Sequence, residues 1–353
     1  MPMRVREVGI IVGEIPTGQL NAITDVPGVR IGHKTIIQGD SIRTGVTAIL
    51  PHEGNLFQEK SPAGIAVGNG FGKFAGYTQV NELGNIETPI VLTNTLSVGT
   101  AVRAVVRYTI GYPGNDAVTS VNAVVGEIND GCLNDIRALA VSEDDVLEAI
   151  GTASSGQVPE GGVGAGTGAL AFGFKGGIGT SSRLVSGEDG KEYTLGVLVL
   201  SNFGGLLEVL GVPLGRELAS MKRARAEADG SCIIIVATDA PVSSRNLKRI
   251  GTRAIYGLAR TGSFMSNGSG DYAVAFSTAY RIPQGGKKPY PIPPLLPNEA
   301  MTSFFRAVMD AVQEAVYNSV FMGVSMRGFK GREVPGLPLD DVPAICRKHN
   351  ILQ

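Results

Sequence analysis

Ala228-Asp229-Gly230-Ser231-Cys232-Ile233-Ile234-Ile235 is the stretch on which the reading of this chain turns. Upstream of it, residues 217–229 (ELASMKRARAEAD) are polar and expected to be exposed. Downstream, residues 232–237 (CIIIVA) form the most strand-like apolar run in the chain, long enough for a central strand. Gly230-Ser231 stands at the border, and two readings of it are open. One is an ordinary loop-to-strand transition, where Gly-Ser is common. The other is a self-cleaving junction that turns Ser231 into a new N-terminus. Glycine at 230 tolerates a strained backbone and leaves its carbonyl open to attack. Ser231 Oγ would add to that carbonyl, and water would resolve the resulting ester. The freed α-amine, with an ordinary pKa of about 7.7–8.0, would then serve as the base for its own hydroxyl.

That second chemistry needs no histidine, and the chain has only His33, His52 and His349. The first two read as ordinary polar loop residues. Cys132, Cys232 and Cys346 are too widely and irregularly spaced for a disulfide framework or a zinc site. Cys132 and Cys232 read instead as small apolar packers. With 31 Lys+Arg against 32 Asp+Glu and no long basic block, nothing suggests phosphate neutralisation, so no nucleic-acid partner is expected. No apolar run approaches the ~18 residues of a membrane span. The opening MPMRVREVGIIVGEIPTG carries neither the apolar region nor the cleavage site of a secretory signal, so a reduced, cytoplasmic setting is expected.

Glycine accounts for 49 of 353 residues, about twice the ordinary share. The chain is nonetheless 43% hydrophobic, so it reads as globular, with many tight turns and close backbone approaches. Its length allows one large domain or two ordinary ones.

Moving outward, residues 21–33 (NAITDVPGVRIGH) lead through a Pro27-Gly28 turn toward a strand at 47–50, and 88–93 (TPIVLT) is a short strand. Ser97 is expected to cap a helix with Ala101, Val102, Val105 and Val106 on its apolar side. Ser142-x-x-Asp145 predicts a capping box ahead of Val146, Leu147 and Ile150. Residues 193–201 (YTLGVLVLS) are a strand, and a turn at 267–270 leads into another at 272–277 (YAVAFS). Leu247, Ile250, Ala254, Ile255 and Leu258 form one face of an amphipathic helix, with Arg245, Lys248, Arg249 and Arg253 opposite. Residues 283–297 carry six prolines and must be extended or looped. A final helix over about 298–321 is expected to bury Met301, Phe304, Phe305, Val308, Val312, Ala315 and Val316. Strands and helices alternate without a clean βαβ rhythm, which predicts mixed sheets in a layered α/β domain.

Gly164-x-Gly166-x-x-Ala169 matches a loose dinucleotide fingerprint, but that mechanism needs a strand before the glycines. Gln157-Val158-Pro159-Glu160-Gly161 reads as loop, so no nucleotide cofactor is expected.

At this point the residues carry a resemblance. Asp229-Gly230-Ser231, 237–241 (ATDAP), 257–262 (GLARTG) and Asn267-Gly268-Ser269-Gly270-Asp271 are similar to the DmpA/BapA family, the L-aminopeptidase/D-esterases and β-peptidyl aminopeptidases of peptidase family S58. So are 24–29 (TDVPGV), 43–48 (RTGVTA), 87–95 (ETPIVLTNT), 133–137 (LNDIR), 164–168 (GAGTG) and 200–204 (LSNFG), in order along nearly the whole chain. The resemblance implies a single precursor domain, 1–353, that cuts itself into an α piece, 1–230, and a β piece, 231–353. Both would stay in one αββα sandwich of the DmpA/ornithine-acetyltransferase type, similar in layering to N-terminal-nucleophile hydrolases. It further implies a homo-oligomer, a tetramer of such units, with no metal or organic cofactor.

Carried over position by position, Ser231 is the nucleophile and its amine the base. Ser269 and Asp271 would hold that amine and tune its pKa. Asn202 would donate its amide to the oxyanion. Glu127 would pair with the free ammonium of a small peptide, amide or ester substrate, D- or β-aminoacyl substrates included. Family members often carry Tyr where this chain has Cys132, a shorter and weaker donor, which bears on substrate preference and rate. Two alternatives accompany the aminopeptidase reading. One is acyl transfer of the ornithine acetyltransferase type, although those enzymes use a Thr nucleophile. The other is a catalytically silent binding protein on the same fold.

Overall fold

The computed structural model describes residues 1–187, 189–218, 230–286 and 289–352. The polar stretch expected over 217–229 therefore lies, from residue 219 on, outside the described residues, as does Asp229. The principal elements run β1 (Arg30–Gln38), β2 (Ile42–Leu50), β3 (Glu59–Gly70), β4 (Ile90–Asn94), α1 (Val98–Ile110), β5 (Val124–Ile128), α2 (Glu143–Gly151), β6 (Gly177–Ser186), β7 (Glu192–Asn202), β8 (Ser231–Thr238), α3 (Ser244–Ala259), β9 (Gly270–Ser277) and α4 (Met301–Phe321).

The apolar run after Gly230 does become a central strand. β8 is buried along its whole length, with β7 antiparallel on one side and β9 parallel on the other. The larger sheet runs β3-β9-β8-β7-β6, and the smaller runs β1-β2-β4-β5. Because side chains alternate across a strand, β8 contributes to two cores at once. Ile233, Ile235 and Ala237 meet Ile49, Leu92 and Val124 of the smaller sheet, whereas Cys232, Ile234 and Val236 pack under α3 and α4. α1 and α2 cover the outer face of the smaller sheet. The layering is the expected αββα sandwich. Each fully buried aliphatic side chain in it contributes roughly 1.5–3 kcal/mol, which is why an uninterrupted apolar run belongs at its centre.

α3 buries Leu247, Ile250, Ala254, Ile255 and Leu258, the predicted face. Ser142 and Asp145 form the predicted capping box. Ser97 does occupy the N-cap position of α1, but its side chain makes no capping bond. Instead Asn94 accepts from the Ser97 amide and caps the short turn Thr95–Ser97 that precedes the helix. α4 begins at Met301 rather than near 298, and Phe305 is only half-buried, its ring covered by the guanidinium groups of Arg249 and Arg253. The chain's beginning is tied to α4 by charge. Glu314, fully buried, pairs with buried Arg183 at 2.7 Å and with Arg6 at 2.6 Å.

β3 and β6 were not visible in the sequence, and their glycines explain both the omission and the packing. A Cβ on Gly64 would stand 2.7 Å from Ser244 O, and one on Gly179 would stand 2.7 Å from Ser319 N. Helices α3 and α4 therefore lie directly on these strands, at positions where a β-branched residue would give the strand away but hold the helix off. No helix among the described residues is long and apolar enough to cross a membrane.

Candidate active site

Ser231 opens β8, 5% exposed, with Asn202 of β7 as its antiparallel partner and Gly270 of β9 as its parallel one. Strand alternation places its side chain on the face of Ile233 and Ile235, between the two sheets. Directly opposed residues of an antiparallel pair share a face, so the side chain of Asn202 stands beside it. Before Ser231, the carbonyl of Gly230 accepts a hydrogen bond from the Gly270 amide at 3.1 Å. The carbonyl at the supposed cut is thus held and polarised by a main-chain N–H. The sequence named Gly270 only as a turn residue, since nothing in side-chain identity reveals a backbone donor.

Asn202 is fixed at both ends of its amide. Its Oδ1 accepts from the Leu170 N–H at 3.0 Å, and its Nδ2 donates to the Asn129 carbonyl at 3.0 Å. One Nδ2 proton is left over. The segment that matches the dinucleotide fingerprint, Gly164 to Ala169, leads into the Leu170 N–H and so supports Asn202. Its glycines form a short 3-10 turn, Gly164–Gly166, with no strand leading into it.

Ser269 and Asp271 are 1% and 0% exposed, and neither the Ser269 hydroxyl nor either Asp271 oxygen has a well-formed hydrogen bond among the described residues. Burial pushes the Asp271 carboxyl up to about 6, opposed by the nearby Ser269 hydroxyl and the Cys232 amide. The Cys232 thiol is pushed up by burial and by Asp271. Asp271 pairs with Cys232 across β8–β9, next to the Ala273 and Ala275 side of β9 that packs under the helices. The Ser231 hydroxyl faces the other way. What lies between carboxylate and hydroxyl is the main chain around Ser231, where a cut would free an amine. Buried acceptors so weakly satisfied suit a cation that arrives later.

Glu127 lies in β5, 3% exposed, and its Oε1 accepts from the Lys73 amide at 3.0 Å, with Lys73 Nζ at 3.7 Å. A Cβ placed on Gly72 would stand 3.1 Å from Glu127 Oε1, 3.3 Å from Gly270 Cα and 3.3 Å from the Tyr272 ring, which brings this carboxylate to the neighbourhood of Ser231's strand partner. Cys132 is half-buried in the loop that follows Asn129, where Arg332 holds its carbonyl at 3.3 Å.

The histidines stand outside this cluster. His33 lies in β1 rather than in a loop, bonded to the Thr47 hydroxyl at 2.9 Å, and His52 is buried against Glu59 O. Burial lowers both to about 4, so they are neutral at pH 7 and bring no charge. Among the described residues no group of His, Cys, Asp and Glu could hold a metal ion.

The chain is similar to known proteins over nearly its whole length. Residues 21–334 match peptidase family S58. The chain is 39% identical over 375 residues to the β-peptidyl aminopeptidase BapA of Sphingosinicella microcystinivorans, covering 99% of this chain and 93% of that protein. The crystal structure of the PH0078 protein from Pyrococcus horikoshii OT3 superposes with a TM-score of 0.94 at 47% identity, covering 99% of this chain and 100% of the other. The L-aminopeptidase D-Ala-esterase/amidase of Ochrobactrum anthropi, described as a prototype for the serine aminopeptidases and a variant of the Ntn hydrolase fold, superposes with a TM-score of 0.90 at 34% identity, covering 99% of each chain.

Proposed function

The chain belongs to peptidase family S58 and is an aminopeptidase acting on peptides, and from that premise we propose that Ser231 is its nucleophile, freed as an N-terminus by self-cleavage after Gly230. The observation that carries this reading is the convergence on one strand start. Ser231, Asn202 and Gly270 are register partners, and Gly270 already grips the Gly230 carbonyl.

In the uncut chain, Ser231 Oγ attacks the Gly230 carbonyl carbon while the Gly270 N–H stabilises the oxygen that becomes negative. The C–N bond breaks, the nitrogen leaves as the Ser231 amine, and water hydrolyses the ester. In the cut enzyme that amine takes the proton of its own hydroxyl as Oγ attacks a substrate carbonyl. Ser269 and Asp271 hold the resulting ammonium, and the remaining Nδ2 proton of Asn202 meets the substrate oxyanion. Glu127 pairs with the substrate's ammonium, displacing the Lys73 side chain, which is 59% exposed and keeps its bond to the Thr95 hydroxyl at 2.7 Å. β-Aminoacyl substrates, whose backbone is longer by one methylene, and D-residues belong to the same proposal. So do a tetramer of cut units and a cytoplasmic location, which rest on the resemblance and the sequence.

Denaturing electrophoresis tests the reading. Mature protein should separate into pieces of about 24 and about 13 kDa, in proportion to their shares of the 36.7 kDa chain. Ser231→Ala should give one full-length band and no hydrolysis of L-, D- or β3-aminoacyl p-nitroanilides. Cleavage in that variant, or activity in a wild-type chain that never cuts, overturns it.

A further inference from the structure

Lys175 is completely buried, and the chemistry above makes no use of it. Its Nζ donates to the carbonyls of Gly166, Ala169 and Gly176 at 2.9, 2.9 and 2.8 Å. Those bonds account for all three protons of an ammonium group. The residue following Ala169 is Leu170, whose N–H holds Asn202 Oδ1. On the other side of Asn202, the residue following Asn129 is Asp130, also buried and bonded to Asn134 Nδ2 at 2.9 Å. Asp130 Oδ2 has no hydrogen-bond partner among the described residues. Asp130 lies against the turn that Lys175 ties down: a Cβ on Gly168 would stand 2.9 Å from Asp130 Cβ. Burial pushes Lys175 down to about 7 and Asp130 up to about 6, the latter opposed first by the nearby Thr44 hydroxyl and the Asn134 amide, and the opposite charge of each counters the other's shift.

A buried ammonium is costly, and replacing buried charges by apolar side chains is often neutral for stability. Here the cost is offset by bonds to three main-chain carbonyls. The geometric product of Lys175 is specific. The turn it ties down ends in the N–H that decides which way the Asn202 amide faces, and Asp130, packed against that turn, sits on the loop that receives the other end of that amide. Reversed, the amide would turn its oxygen toward a developing oxyanion.

We propose that Lys175, with Asp130 packed against the same turn, is a positioning residue for Asn202, holding 166–170 and 129–130 so that Asn202 keeps one N–H aimed at the substrate oxyanion. The inference rests on Asn202 being the oxyanion donor in the reading above. Displacement of a catalytic group by about 1 Å can cost on the order of a hundredfold in rate.

Lys175→Met keeps an unbranched side chain, one atom shorter, and removes the charge and the donors. Per cut chain counted on a denaturing gel, its kcat should fall about tenfold to a hundredfold with KM within about twofold of wild type. In the Asn202→Ala background the same substitution should lower kcat by no more than about twofold, because residues acting as one unit are not additive. Asp130→Asn leaves the three Lys175 bonds in place and should lower kcat several-fold at unchanged KM. It decides the matter if Lys175→Met does not fold or mature. Unchanged kcat in these variants, KM rising in step with falling kcat, or a full-sized loss persisting in Asn202→Ala would overturn the inference. A wild-type chain that hydrolyses no aminoacyl substrate would instead sink the underlying reading of the site.

Discussion

Asn202 and Ser231 are directly opposed in the antiparallel ladder between β7 and β8, the last residue of one strand facing the first of the other. Their side chains leave the sheet on the same face, toward the smaller sheet, so the amide and the hydroxyl are set side by side by strand register rather than by loop geometry. A site built on strands is held more tightly than one built on loops. The amide is further clamped between Leu170 and Asn129.

Asn202→Ala should therefore leave self-consistent folding but lower kcat by about 10²–10³, the usual cost of losing one oxyanion donor. KM should change little, since the donor acts mainly in the transition state. The Leu170 N–H and Asn129 carbonyl would lose their partner, so a stability loss of about 1–3 kcal/mol should accompany it. Steady-state kinetics and thermal unfolding measure the two effects separately. A kcat within a factor of three of wild type would remove Asn202 from the oxyanion role.

Gly230 admits no side chain. A Cβ there would overlap the Asn202 carbonyl oxygen and stand 2.5 Å from Phe203 Cα, both backbone atoms of a neighbouring strand end. Gly230→Ala should push the junction off the Gly270 N–H and slow self-cleavage by at least tenfold, while Ser231 keeps its place in β8. Time-resolved gels of freshly expressed protein measure this. Cleavage at the wild-type rate would show that the grip on the Gly230 carbonyl is not used.

The sequence made β8, α3 and the junction legible because each shows in side-chain chemistry: an apolar run, a 3.6-residue period, a glycine before a serine. Ser269, Asp271, Asn202 and Glu127 came from the resemblance, and the structure brings them around the same strand start. What stayed hidden is carried by backbone or by context. The Gly270 N–H has no side-chain signature. Lys175 looks like a surface lysine in Phe174-Lys175-Gly176, and only the turn folded over it shows that it is buried. Gly64 and Gly179 hid two strands because close helix packing selects against the β-branched residues that announce a strand.

The pH dependence of the uncut precursor follows from Asp271. Its folded carboxyl titrates at about 6, against an ordinary 3.8. Below pH 3.8 it is protonated folded or unfolded and contributes nothing. Between 3.8 and 6 the folded state keeps a proton that the unfolded state has lost, so stability falls as pH rises. Above 6 the full penalty stands, roughly 3 kcal/mol. We expect uncut Ser231→Ala protein to lose stability across this window, and Ser231→Ala combined with Asp271→Asn to lose less by about that amount. In cut wild-type enzyme the new ammonium beside Asp271 favours the ionised form, so the fall should disappear or reverse. Denaturant unfolding of the three proteins at pH 4 and pH 7 decides it. Parallel losses in the two uncut variants would mean that Asp271 does not titrate in this range, and a fall in the cut enzyme as large as in uncut Ser231→Ala would mean that the cut creates no partner for it.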